Sequence, residues 1–223
     1  MAQADGWRFI AAGALALIAT GAGGAGSAGA CETPEPFTLR IEHAQLGDIG
    51  RHAVDFSCEG EALVVDTRAE IEVKILLATA YRREARLREV WQGDQLLEFE
   101  GTTIDDGEPY RVTARLEDDR MIIEGRSGRI EAPPHVVPDH PWNEDMIDRT
   151  LLFDVRDGGL LEVKADAAGK ELIVTGGREV EADRFVVSGD TERDLWYAKD
   201  GRWLQWRLER AGGTITLIRS GPG

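Results

Sequence analysis

The sequence predicts an all-β fold, in which a curved antiparallel meander forms a barrel or half-barrel with one short helix near residues 143–149. Turn signals rich in Gly and Asp recur at short intervals from Asp48 to Gly213, and they leave room for strands but for few helices. Apolar and polar residues alternate over many short segments, which is typical of strands with one buried face. Because a meander has edges that must be hidden, we expect closure or strong curvature.

The alternation is clearest in segments 37–41, 54–58, 71–77, 110–114 and 204–208. Residues 78–90 are different, since they are rich in the helix formers Ala, Leu, Glu and Arg. Four of the apolar residues in and just after this segment nevertheless fall on one face of a strand: Tyr81, Ala85, Leu87 and Trp91. Gly93-Asp94 then forms a strong hairpin signal. We therefore predict a strand, with a charge-paired outer face in which arginines meet Glu98 and Glu100 of the next strand.

Residues 133–149 contain four prolines, which exclude regular sheet. Asn143 is suited to cap a short helix over residues 144–148, whose first turn is acidic. We expect this segment to lie across the opening or the concave face of the barrel.

The first thirty residues have the pattern of a secretory signal peptide. Arg8 is followed by an apolar run over residues 9–20 and by small residues that end in Ala28-Gly29-Ala30. Cleavage after Ala30 would leave residues 31–223 as a single β-rich domain in the periplasm. We expect no transmembrane span in this mature chain.

The two cysteines leave three alternatives open. An exported chain favours a disulfide between Cys31 and Cys58. Cys31 would also be the first mature residue, where a lipoprotein carries its lipid, although Ala28 stands where that signal usually has a larger aliphatic residue. The third alternative is a pair of free thiols. Catalysis is not expected, because Glu59 and Glu61 disfavour a thiolate at Cys58.

Composition and motifs exclude several classes of function. The net charge of -15 repels a polyanion, so we do not expect a nucleic acid as the main ligand. His135, Asp139 and His140 resemble a metal-ligand set, but no further strong ligand is evident and the segment is interpreted as an exposed lid loop. No nucleophile or paired-acid motif is present beyond turn residues. We predict a protein without enzymatic activity, metal or cofactor.

Four short pieces of the chain resemble an uncharacterised bacterial family, domain of unknown function 6134. They are Glu89-Val90-Trp91 before Gly93, Trp142-Asn143, Leu151-Leu152 leading to Gly159 and Val163, and Asp194-Leu195-Trp196-Tyr197 before Asp200-Gly201-Arg202-Trp203. The resemblance implies an exported β-rich protein and supplies no catalytic residues. A more distant likeness of architecture to periplasmic lipoprotein-carrier half-barrels is an analogy only.

Aromatic residues are the most suggestive candidates for a ligand site. The candidates are Trp91, Tyr110, Trp142, Trp196, Tyr197 and Trp206. If Asp200-Gly201 forms a two-residue turn, Tyr197 lies opposite Leu204, Leu195 opposite Trp206 and Trp196 opposite Gln205. A three-residue turn would instead place Trp196 opposite Leu204. Both registers leave a tryptophan on each face, and core packing is the alternative to a ligand pocket.

The leading hypothesis is an exported, non-enzymatic protein that binds an apolar or amphipathic, lipid-like ligand in the concavity beneath residues 133–149. The alternative is a structural or interaction module of the cell envelope, anchored by a lipid at Cys31.

Overall fold

The computed structural model describes residues 31–75, 78–210 and 212–220, so the predicted signal peptide lies outside the described residues. The described chain forms strands and one short 3-10 helix, Glu144–Asp148. No helix in this part of the chain is both long and apolar enough to cross a bilayer. The strands are β1 Phe37–His43, β2 Gly47–Glu59, β3 Ala62–Ile75, β4 Ala78–Gln92, β5 Gln95–Asp105, β6 Glu108–Glu117, β7 Arg120–Gly125, β8 Gly128–Ala132, β9 Val137–Pro138, β10 Leu151–Phe153, β11 Leu160–Thr175, β12 Arg178–Gly189, β13 Arg193–Tyr197, β14 Trp203–Arg210 and β15 Gly213–Ser220.

All fifteen strands belong to one sheet, in the order β8 to β1 and then β15 to β9. Neighbouring strands are antiparallel except for the parallel pair of β9 and β10. The edge strands β8 and β9 follow one another in the chain but do not pair, so the barrel is not closed. Ser127 N donates to Asp157 O at 3.0 Å, which joins the turn after β7 to the loop after β10. The predicted curved, barrel-like antiparallel meander is confirmed.

Residues 78–90 lie in a strand, as predicted. Leu87, Glu89 and Trp91 point inwards from β4 and are buried, whereas Arg86 and Gln92 are exposed. Two long ladders, with β3 and β5, outweigh the helix propensity of this segment.

The outer face of β4 is charge-paired, but its partners differ from the prediction. Arg82 binds Glu84, and Arg88 binds Glu59 and Asp66. Glu100 binds Arg111 on β6 instead of a β4 arginine. Long arginine side chains reach several carboxylates on such a surface, so strand register alone does not decide the pairing.

The proline segment, residues 133–149, contains the predicted helix and packs against the concave face of the sheet, one of the two predicted positions, but it is more buried than predicted. Asn143 caps the 3-10 helix by accepting a hydrogen bond from Asp145 N at 3.0 Å. Two expectations were wrong. The prolines were expected to exclude sheet, but Pro138 lies in the short edge strand β9. The segment was also interpreted as an exposed lid, which it is not. Proline is tolerated in an edge strand because its missing N–H faces away from the ladder. The apolar residues Val136 and Val137 are buried inside the barrel, and the hydrophobic effect of their burial holds the segment there.

A disulfide joins Cys31 to Cys58, so the structure has the first of the three alternatives for the cysteines. The bond ties the chain before β1 to the end of β2. It closes a sequence separation of 27 residues, which restricts the unfolded chain.

Candidate functional site

The six aromatic candidates do not form one pocket. Trp91 and Trp142 contact each other edge to face, with ring centroids 5.9 Å apart, at one end of the barrel interior. Tyr197 and Trp206 also belong to the interior, where they contact the same apolar core. Trp196 lies on the outer face of the sheet, and Tyr110 is half-buried among charged side chains.

The register between β13 and β14 decides which residues of β13 face the barrel interior. It combines features of the two predicted turns. Leu195 lies opposite Trp206 and Trp196 opposite Gln205, as the two-residue turn predicts. A register shift after Trp196 then places Tyr197 opposite Trp203, so the predicted pairing of Tyr197 with Leu204 was wrong. A bulge of this kind inserts one residue without changing the earlier pairs.

Trp196 is fully buried in a second, smaller apolar cluster with Ile173, Ala182 and Leu204. The tip of the β11–β12 hairpin covers it there, and Trp196 Nε1 donates to Glu171 Oε2 at 3.1 Å. Thr175 Oγ1 donates to Arg219 O at 2.8 Å and ties the same tip to β15. The contacts of Trp196 are therefore those of a packing residue outside the barrel.

Tyr110 lies between two guanidinium groups. The Cζ atoms of Arg126 and Arg156 are 3.9 Å and 4.7 Å from its ring centroid. Arg156 also donates to the Tyr110 hydroxyl at 3.1 Å and lies 3.5 Å from the carboxylate of Asp105. These cation–π and hydrogen-bond contacts hold β6 against the turn after β10.

A buried carboxylate, Glu89, organises the end of the interior that contains Trp91 and Trp142. Its side chain is 0% exposed. Its Oε2 accepts hydrogen bonds from Trp91 Nε1 and Trp142 Nε1, both at 2.9 Å. Its Oε1 lies 2.6 Å from His140 Nδ1. Three donors therefore compensate for the lost hydration of one carboxylate.

A second histidine extends this network towards β2. His52 Nε2 lies 3.2 Å from His140 Nε2. Burial lowers the pKa of His52 well below its usual value, and the neighbouring His140 lowers it further. The Trp203 ring is edge-on to both imidazoles, with centroids at 5.5 Å and 6.3 Å. We define Glu89, His140 and His52 as the buried triad.

Sequence reasoning did not identify the buried triad as a site. Glu89 was noticed only within a motif of the resemblance, and His52 was not singled out at all. A signal was nevertheless present at Glu89, because it interrupts the inward apolar positions Leu87 and Trp91 with a charged residue. A charge at a core position requires a partner, and that partner is 51 residues away in sequence.

The structure separates the three residues that resembled a metal-ligand set. His135 is exposed, whereas His140 belongs to the buried triad. Asp139 binds Arg193 through both guanidinium Nη atoms. In residues 31–75, 78–210 and 212–220, no group of three or more His, Cys, Asp or Glu side chains is placed to hold a metal ion.

Side chains fill the end of the barrel near the buried triad. The space between Trp91, Trp142 and His140 measures about 20 Å³, which is of the order of one water molecule. Phe37 and Phe56 pack beside these rings and beside Trp203. We call this the closed end.

The other end of the interior is less filled, and we call it the open end. Two apolar side chains that contact the core, Ile71 and Val73, are only partly buried there. A cleft of about 550 Å³ lies between the β1–β2 turn and the β3–β4 hairpin. Its apolar lining is Leu46, Ile49, Ile71 and Val73, and its charged lining is Asp48, Arg51, Glu70, Glu72, Lys74, Arg82, Arg83 and Glu84.

Two arginines of this cleft differ from its other cations. Lys74 binds Glu72 at 2.8 Å, and Arg82 binds Glu84. Arg51 and Arg83 form no ion pair with any residue that the structure describes. Strand register places Arg83 on the same face as Ile71 and Val73, and Arg51 on the opposite face with Glu70. The cleft therefore combines an apolar wall with one guanidinium group, that of Arg83, which is available to an anion.

Comparison with known proteins agrees with this architecture. A beta-barrel-like protein of domain of unknown function DUF1849 from Brucella abortus has a similar structure, with a TM-score of 0.60 and 12% sequence identity. The similarity covers 86% of this chain and 98% of that chain, and at this identity it shows the fold alone. No curated protein matches the sequence. The model of the family described as Domain of unknown function (DUF6134) matches residues 45–220, and the chain therefore belongs to that family.

Proposed function

We propose that this protein is an exported, non-enzymatic protein that binds an amphipathic, lipid-like molecule at the open end of its barrel. The observation on which the proposal depends is the cleft of about 550 Å³. Its volume lies within the range of ligand sites, roughly 300–1,000 Å³. The closed end, with about 20 Å³ between its aromatic rings, offers no comparable space.

The apolar part of the ligand would contact Ile49, Ile71 and Val73. Ile71 and Val73 remain partly exposed although they point into the core cluster, so a bound hydrocarbon chain would remove their surface from water. Such burial stabilises a complex by about 25 cal/mol per Å² of apolar surface.

The polar part of the ligand would be an anionic head group, bound by Arg83. A guanidinium forms paired hydrogen bonds with carboxylates and phosphates, and Arg83 lines the cleft on the same face of the sheet as Ile71 and Val73. The protein as a whole is acidic, with a net charge of -15, so it repels anions at long range. Recognition would therefore depend on this local group.

Replacing Val73 with aspartate is expected to weaken binding at least tenfold, because the new carboxylate would have to be desolvated against the hydrocarbon chain, at a cost of about 1.4 kcal/mol or more. The probe is dansylundecanoic acid, whose fluorescence rises in an apolar environment. Val174→Asp is the matched control, because Val174 also lies on a strand but is 60% exposed and outside the cleft.

A second pair of variants tests the contact with the head group. Arg83→Gln should weaken binding of a fatty acid but not of the fatty alcohol of the same length, because only the acid has a charge. Arg86→Gln on the same strand is the control, since Arg86 is exposed and does not line the cleft. The proposal fails if wild-type protein shows no saturable binding, or if Val174→Asp weakens binding as much as Val73→Asp.

A second candidate function is an interaction module of the cell envelope. Leu172 and Val174, which are 67% and 60% exposed, form an apolar pair on the β11–β12 hairpin. The Cys31 sulfur that a lipid anchor would need is bonded to Cys58, so this module is proposed without the anchor. A photocrosslinking amino acid at position 172 in living cells should capture a protein partner in this case, and the absence of any adduct would contradict it.

A further inference from the structure

We propose that His52 and His140 form an acid-sensitive latch, which holds the proline segment inside the barrel at neutral pH and releases it when both imidazoles are protonated. This device is independent of the proposed ligand, because it lies at the closed end. The geometry that points to it is the contact between the two ring nitrogens, His52 Nε2 and His140 Nε2, at 3.2 Å.

Only one proton can lie between the two Nε2 atoms, and not two. A hydrogen bond at this distance needs one N–H donor and one lone pair, so at least one imidazole must be neutral. If both rings are protonated, two N–H groups point at each other in a buried site and the bond is replaced by repulsion. The low dielectric of the interior makes this repulsion stronger than it would be in water.

Glu89 balances a single positive charge. Its carboxylate lies against His140 Nδ1 at 2.6 Å, so a proton on His140 forms a buried ion pair. No second carboxylate of the described residues hydrogen-bonds to either ring. A second proton, on His52, would therefore have no counter-charge in contact with it.

The other charged groups around the pair do not supply that counter-charge. Asp139, next to His140 in the chain, is neutralised by Arg193 from β13. Arg219 from β15 adds a positive charge, and its Nη1 donates to the carbonyl of Trp203, whose ring packs against both imidazoles. On β1 and β3, the residues opposite His52 are Leu39 and Ala69, which do not titrate.

The proline segment is the part that would move. His52 is held by ladders on both sides, because β2 pairs with β1 and β3. His140 follows the two-residue strand β9, which pairs with β10 over Val137 and Pro138 only. Beyond that pair, the backbone contacts of the segment with the sheet are a bond from Asp139 N to Phe153 O at 2.9 Å and an isolated bridge between Asn143 and Arg202. Side chains supply the other contacts, through His140, Trp142, Asp139 and a bond from the Tyr197 hydroxyl to Pro141 O at 3.1 Å. Repulsion at His140 would therefore displace the segment and not β2.

The pH dependence has a defined sign. The pKa of His52 is lowered in the folded protein, whereas in the unfolded chain it returns to about 6.5. As the pH falls below that value, His52 binds a proton in the unfolded or released state but stays neutral in the latched state. The latch is therefore fully stable above about pH 6.5 and weakens as the pH falls from there towards the folded pKa.

Hydrogen–deuterium exchange of residues 133–149 tests the latch in the whole protein. After correction for intrinsic rates, protection of this segment in the wild type should fall at least about tenfold between about pH 7.5 and pH 5, and that of β2 and β3 should not. His52→Gln keeps a neutral hydrogen-bonding side chain next to His140, so the acid-induced loss should disappear. His135→Gln, an exposed histidine of the same segment, should behave as wild type.

Two results would overturn the latch: an unchanged segment in acidified wild type, or an equal acid-induced loss in His52→Gln. The second result would show that the acid-induced loss does not depend on His52. If His52→Gln does not fold, ¹⁵N NMR of the imidazole nitrogens in the wild type replaces it. The segment must then lose protection at the pH at which His52 becomes protonated, and a loss while His52 is still neutral contradicts the latch.

Discussion

Replacing Glu89 with leucine is expected to lower the free energy of unfolding by roughly 4 kcal/mol. The carboxylate accepts from two indole N–H groups, of Trp91 and Trp142, and is paired with His140. Leucine fills a similar volume but leaves these buried polar groups without a partner, and each unsatisfied group costs about 1–3 kcal/mol. Urea unfolding followed by circular dichroism measures the change.

Glu98→Leu is the matched control for this substitution. Glu98 lies on the neighbouring strand β5 but is exposed, so its replacement should change stability by no more than about 0.5 kcal/mol. Glu89→Gln should fall between the two, since an amide oxygen can still accept from an indole. A loss of less than about 1 kcal/mol in Glu89→Leu would show that the carboxylate is not needed to hold the closed end together.

Trp203→Ala is expected to cost roughly 3–5 kcal/mol, as for other large-to-small changes of a buried tryptophan. Trp203 is 0% exposed and contacts Phe37, His52 and His140 edge to face. Its removal leaves a cavity that the rigid strands around it cannot fill by collapsing. Thermal and urea unfolding of the variant measure the loss.

Trp206→Ala is the matched comparison on the same strand. Trp206 is only partly buried, so its replacement should cost about 2 kcal/mol or less. An equal cost for the two tryptophans would contradict the conclusion that complete burial of Trp203 makes it the more important packing residue.

Local patterns in the sequence predicted the sheet well, for physical reasons. Alternation at period two reports which face of a strand is buried, and it assigned β4 correctly although helix formers dominate residues 78–90. Asn143 and the acids after it predicted the 3-10 helix, because a cap is satisfied within a few residues.

The candidate site could not be predicted in the same way, because its parts are far apart in the chain. His140 meets Glu89 across 51 residues and His52 across 88. The curved sheet, whose two halves are joined by the pairing of β1 with β15, brings these positions together. The proline segment was interpreted as an exposed lid loop, but Val136 and Val137 bury apolar surface without any periodic pattern.

The register of β13 shows a second limit. The turn at residues 200–201 predicted the pairs of Leu195 and Trp196, but not the shift that places Tyr197 opposite Trp203. Such a bulge depends on how well the neighbouring side chains pack on each face, which turn residues do not encode.

The proposal of an amphipathic ligand at the open end is tested most directly by a crystal structure of the protein with a fatty acid that is brominated at its terminal carbon. The anomalous signal of bromine locates the terminal carbon of the fatty acid independently of the remaining electron density. We predict a bromine site in contact with Ile71 and Val73, with the carboxylate near Arg83. A bromine site between Trp91 and Trp142, on the outer surface, or nowhere on the protein would contradict the account.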